Sequence, residues 1–146
     1  MAKKDKSKKR VSEILKTKKE AIAQARRYLA NAKDTLINNT YIKNDRYVDS
    51  KYVSEASAMA YLAPTIAIKG YLLEHGIVND KRKLPKSYDQ YTMFIKKIPR
   101  NGKLMDHYNT VYENLHIDGY YEGHCNVKLI KGGFESAKKI IEILSV

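Results

Sequence analysis

The sequence predicts an all-α fold, an up-and-down antiparallel bundle of about five helices, and three observations carry that expectation. Residues 50–76, SKYVSEASAMAYLAPTIAIKGYLLEHG, are the longest stretch with unbroken helical patterning, and the stretch is apolar on two faces. A helix with two apolar stripes is flanked on two sides, as in a bundle interior. The alternating apolar and polar runs that mark strands are absent. Three Pro and seven Gly are too few for a loop-rich sandwich, and 146 residues with 43% apolar content suffice for one buried core.

Residues 1–17 read as a basic, partly disordered arm ahead of a single domain over residues 18–146. Residues 1–19 hold nine Lys or Arg against Asp5 and Glu13, so they carry +7 of the chain's net charge of +12. Lys3, Lys4, Lys6, Lys8, Lys9 and Arg10 could bind nucleic acid through phosphate contacts and counterion release. The plainer reading is a solvated tail.

Thr17-Lys18-Lys19-Glu20 is a capping-box pattern ahead of AIAQARRYLANAKDTL, and it predicts a first helix over residues 18–38. An earlier start is the alternative. Val11, Leu15, Lys18, Ile22, Ala25, Leu29, Ala32 and Leu36 alternate steps of four and three, which is heptad spacing. Asn38-Asn39-Thr40 and Asn44-Asp45 then make a polar connection.

The central helix is expected over residues 51–75, with Ser50 as N-cap and Gly76 in the left-handed position beyond its end. One row, Val53, Ala56, Ala60, Ala63, Ala67 and Gly70, is almost entirely small, so a neighbouring helix can approach closely. A second row, Tyr52, Met59, Ile66 and Leu73, is bulky. Pro64 lies mid-helix at a cost of about 3 kcal/mol. The pattern continues on both sides, so a kink is expected and not a break.

A third, short helix is expected over residues 88–97, opened by the capping box of Ser87 and Gln90 and stopped by Pro99-Arg100-Asn101-Gly102. The fourth begins near Lys103, buries Leu104, Tyr108, Val111 and Leu115, and ends or bends at Gly119-Tyr120-Tyr121-Glu122-Gly123. The last, over residues 126–144, buries Val127, Ile130, Phe134, Ala137, Ile141 and Leu144. Its Gly132-Gly133 pair admits a ring, Tyr120 or Tyr121, or marks a kink.

The single cysteine, Cys125, excludes an intramolecular disulfide framework and favours a reducing compartment. No apolar stretch of signal-peptide type follows the basic start, and no run approaches the roughly 18 apolar residues of a membrane span. A soluble, cytoplasmic protein without membrane contact is expected. His116, His124 and Cys125 match no standard zinc spacing, so no metal is expected. Gly70 and Gly102 belong to no phosphate-binding loop, and no cofactor is implied. Adjacent Tyr120 and Tyr121 would point about 100° apart on a helix. One is expected to pack inward, while Tyr121 could stack on bases.

Arg100 and His107 enclose Asn-Gly-Lys-Leu-Met-Asp, an Arg followed by a polar residue and then a His. In this motif, in helix order and length and in its GYYEG junction, the chain resembles HEPN domains over residues 18–144. In active members such a pair implies metal-independent RNA cleavage. Arg stabilises the phosphate charge that grows in the transition state, and His handles a proton near neutral pH. Here Arg100 follows Pro99 and is expected in a loop, and His107 sits between Leu104 and Val111 at the edge of an apolar face. The resemblance also implies a non-catalytic role, in which the bundle binds a separate protein, often a nucleotidyltransferase, or a nucleotide, and pairs as a homodimer. A non-catalytic partner-interaction module is therefore the expected function. A ribonuclease using Arg100 and His107 and an RNA binder using the basic arm are the alternatives.

Overall fold

A computed structural model describes residues 17–146. The basic arm with Lys3, Lys4, Lys6, Lys8, Lys9 and Arg10, and the proposed earlier start of the first helix, lie outside the described residues. Five α-helices and one small hairpin follow in order: α1 (Lys18–Asn39), β1 (Ile42–Lys43), β2 (Arg46–Tyr47), α2 (Ser50–Glu74), a 3-10 turn (Lys81–Lys83), α3 (Tyr88–Ile95), α4 (Gly102–Val111) and α5 (Val127–Leu144). Between α4 and α5 the chain continues from α4 as a π-helical segment, Tyr112–Tyr121.

Local chemistry sets most of the boundaries. The Thr17 hydroxyl accepts from Glu20 N at 3.2 Å and opens α1. The Ser87 hydroxyl accepts from Gln90 N at 3.2 Å, while Gln90 Oε1 accepts from Lys86 N at 2.8 Å. Asn126 Oδ1 accepts from Leu129 N at 3.0 Å and opens α5. Each removes orphan donors from a helix start. Ser50 is not the cap of α2. Asp49 holds extended backbone there, and its Oδ1 accepts from Lys51 N at 3.1 Å, so Ser50 is the first helical residue. Beyond α2, Gly76 takes φ +69°, the left-handed conformation in which glycine meets no Cβ clash.

The central helix α2 packs against α1, the π segment and α5; α1 and α4 also pack against α5, and α3 against α4. Contacts at the ends fix direction. Gly70, late in α2, faces Ala21 and Thr17 at the start of α1. The Ser54 hydroxyl, early in α2, donates to Gly119 O at 3.2 Å late in the π segment. Asn114 Nδ2 donates to Leu129 O of α5 at 3.0 Å, and Lys18 Nζ reaches Val146 O at 2.9 Å. Helix α1 therefore runs antiparallel to α2 and α5, and so does the continuous α4–π helix, which leaves α2 and α5 as parallel neighbours.

The small-residue row behaves as expected. Val53, Ala56, Ala60, Ala63 and Ala67 are fully buried, and Gly70 is buried with them. The bulky row does not: Tyr52, Met59, Ile66 and Leu73 are only half-buried. The second buried stripe is instead Ser57, Pro64, Thr65, Ile68 and Leu72. Helix α2 runs through Pro64 for its full 25 residues. The Thr65 hydroxyl donates to Leu62 O at 2.6 Å, beside the turn where the proline supplies no donor.

Four further expectations change. The connection after α1 holds a two-residue antiparallel pairing, Ile42 opposite Tyr47 and Lys43 opposite Arg46. Asn44 and Asp45 turn it at φ 51° and 60°, the doubly positive geometry of a primed hairpin turn. Helix α3 stops at Ile95, two residues short of the expected end, and Val127 is half-buried, not buried. Gly133 does not admit a tyrosine ring. A Cβ built there would lie 2.5 Å from Leu115 Cδ2, so the position admits Leu115.

Two glycine substitutions should move stability in opposite directions. Gly70→Ala puts a methyl into Ala21 at a seam with no slack and should cost about 1–3 kcal/mol. Gly102→Ala, at the start of α4 with open space around it, should gain about 0.4–1 kcal/mol by restricting the unfolded chain. Urea unfolding of both variants checks the pair of signs.

Candidate functional site

The π segment carries Tyr112, His116, Tyr120 and Tyr121, and α2 supplies Tyr61 opposite them. Longer i→i+5 bonds widen the backbone, as between Glu122 N and Ile117 O at 3.1 Å. His116 is the hub of the cluster. Its ring stacks on Tyr61 at 4.6 Å and 28°, and lies 5.3 Å from Tyr112, 6.1 Å from Tyr120 and 5.1 Å from Tyr121. Tyr120 and Tyr121 pack on each other at 4.9 Å. These separations suit offset and edge-to-face ring contacts.

Behind the hub the cluster becomes core. Tyr61 and Tyr108 share a hydroxyl hydrogen bond of 3.0 Å, Tyr88 and Tyr91 pack on Tyr108, and the Tyr88 hydroxyl donates to Asn109 Oδ1 at 2.6 Å. Burial holds the phenols of Tyr108, Tyr91 and Tyr61 above the ordinary tyrosine range, so they stay neutral. Removal from water acts oppositely on His116 and lowers its pKa from 6.5. The outer rings emerge at the surface: Tyr120 is 44% and Tyr121 66% exposed. The expectation that one of this pair packs inward fails, because each covers the other and His116 from the solvent side.

Beside Tyr120 runs a groove of about 720 Å³ between α1 and α2. Gln24, Arg27, Tyr28 and Asn31 form one wall, and Glu55, Ala58, Met59 and Leu62 the other. Both walls follow i, i+3, i+4, i+7 spacing, the outer stripe of each helix. Leu62 is 46% exposed there.

Arg100 and His107 have other surroundings. Arg100 is exposed on the loop before α4 at φ 57°. Asn101 Nδ2 donates to Lys96 O at 3.0 Å and Ile98 O at 2.8 Å, closing the end of α3. His107 Nδ1 lies 3.1 Å from the hydroxyl of buried Ser136, which joins α4 to α5. Cys125 is half-buried, with its thiol 3.4 Å from Gly123 O, and His124 is exposed. Among the described residues no group of three or more His, Cys, Asp or Glu is placed to hold a metal ion, and no helix is long and apolar enough to cross a membrane.

The family described as Domain of unknown function (DUF5618) matches residues 20–146, all of the helical unit above except the first two residues of α1. The chain belongs to the DUF5618 family. It is similar to a solved protein of unknown function from Dyadobacter fermentans, at 32% identity and a TM-score of 0.76, covering 88% of this chain and 96% of that one. No curated protein matches. The DUF5618 match thus contains the π segment, the groove and the Arg100–His107 stretch together.

His116 is the site residue that sequence reasoning weighed only as a metal ligand. Its signal was Tyr112, His116 and Tyr120 at intervals of four, an aromatic ladder on one helical face. Because burial lowers its pKa, the unfolded chain takes up a proton near pH 6.5 that the folded chain resists. Stability should therefore be fully present above pH 6.5 and decline as pH falls below it. Urea midpoints at pH 7.5, 6.5 and 5.5 should fall less steeply for His116→Gln than for the unaltered protein, and equal slopes would contradict the assignment.

Proposed function

We propose that this DUF5618 chain is a non-catalytic, HEPN-like helical module of the cytoplasm that binds a protein partner through the α1–α2 groove and the tyrosines beside it. The observation that carries the reading is Leu62 and Tyr120 standing open to solvent on a groove walled by two helical stripes, with exposed Tyr121 packed on Tyr120. Such a groove suits an amphipathic helix laid between α1 and α2. Tyrosine, methionine and arginine are the residue types enriched where partners bury their contact centres. Arg27 and Glu55 put both signs of charge on the rim, which selects among partners more than it adds affinity. HEPN-like descent is supported by helix order and by the Arg100–His107 stretch, and it brings with it the expectation of a homodimer.

The ribonuclease reading has less support. His107 already engages Ser136 through Nδ1, and Arg100 stands on the loop and not on the helix face of His107. RNA binding without cleavage is the second reading, favoured by the 66% exposure of Tyr121, whose ring could stack on a base.

Leu62→Glu alters a surface position and should leave unfolding unchanged, while Tyr120→Ala should keep the protein folded at a cost of about 0.5–1.5 kcal/mol for its ring contacts. Cross-linking in cells should show each variant losing the partner held by the unaltered protein, by about tenfold or more if these are contact centres. Undiminished capture would contradict the groove assignment. Single-stranded RNA incubated with the protein should remain intact. Cleavage that disappears in His107→Ala would install the enzyme reading in its place.

A further inference from the structure

A second cleft lies at the carboxyl end of α1, apart from the α1–α2 groove and from the tyrosine cluster. Its volume is about 500 Å³, within the range of small-molecule sites. Its walls come from α1, the link after it, the hairpin and α5. Leu36, Ile37, Tyr41, Ile42, Tyr47 and Phe134 make it predominantly apolar. Ile37 is 75%, Tyr41 63% and Ile42 49% exposed, so three large apolar side chains in sequence proximity are left in water on one side of it. Contiguous exposure of this kind marks a binding surface more often than isolated exposed residues do.

The charged groups on the cleft say what it would take. Lys33 reaches it from α1 and Lys131 from α5, against the single carboxylate of Glu135. All three side chains are exposed, and none forms an ion pair among the described residues. We propose that this cleft binds a small amphiphilic carboxylate, with its apolar body against Ile37, Ile42 and Phe134 and its charged group between Lys33 and Lys131. A second copy of the chain fits less well, because pairing this face with itself brings four lysines against two glutamates on a protein of net charge +12. A partner helix needs a trough open at both ends, whereas the hairpin and the link after α1 wall this cleft as well as the two helices.

The charges also give the proposal its test. Isothermal titration of the full chain with decanoate, decanol and decylamine, each below its micelle concentration and at low ionic strength, compares three heads on one body. Decanoate should bind at one site per chain and more tightly than either of the others. Lys33→Gln and Lys131→Gln should each weaken decanoate by about two- to fivefold, as expected for exposed charge pairs, and leave decanol unchanged. Glu135→Gln should tighten decanoate by a similar factor of about two. Ile37→Glu should abolish binding while the thermal unfolding curve stays in place. Absence of saturable decanoate binding, equal affinity for the three heads, or insensitivity to all three charge substitutions would overturn the proposal. So would an acidic amphipathic peptide that saturates the cleft where decanoate does not.

Discussion

The structure depends on backbone-level contact between α2 and its neighbours, and between the π segment and α5. Gly70 lies against Ala21, Gly119 lies over Ser57, and Gly133 receives Leu115. At each place a helix comes so near its partner that a single added carbon would collide. Interiors packed this closely gain many small dispersion contacts and tolerate little added volume. The alanine row of α2 extends the same geometry along the α1 seam. Large rings have no room there and gather where α2 meets α3, α4 and the π segment.

The π segment links that packing to the surface. Within ten residues Leu115 enters α5 at Gly133, Gly119 rests on α2 at Ser57, and His116 and Tyr120 carry the aromatic ladder outward. Fully buried Tyr108 and exposed Tyr121 are therefore the two ends of one set of ring contacts. Irregular helical turns of this kind recur at functional positions. The ladder supports the rings that border the α1–α2 groove, so the groove borrows its rigidity from the core.

Caps and small-residue periodicity were legible in the chain. Thr17 and Ser87 each announce a helix by chemistry confined to four residues, and the alanine row by its 3.6-residue period. Asn126, read as the first residue of the last helix, is instead its cap, and Ser50, read as a cap, is the first residue of α2. The bulky row misled because Tyr52, Met59, Ile66 and Leu73 lie along the margin of the buried face, where each is half-buried. Ser57, Pro64, Ile68 and Leu72 line that face instead. The hairpin escaped because two-residue strands are too short to show alternation, leaving only Asn44-Asp45 as a sign. The π segment has no compositional mark at all. Arg100 and His107 were visible as a local motif, but whether they meet depends on the fold, and Ser136 is 29 residues away from His107 in sequence.

The account stands or falls on the closeness with which α2 is enclosed, and native-state hydrogen exchange reads this residue by residue. Amides between Ala60 and Gly70 should be the slowest in the molecule, opening only with global unfolding. Exchange there as fast as at the ends of α1 or α5 would mean that the alanine seam is loose, and would contradict the packing from which the α1–α2 groove derives its shape.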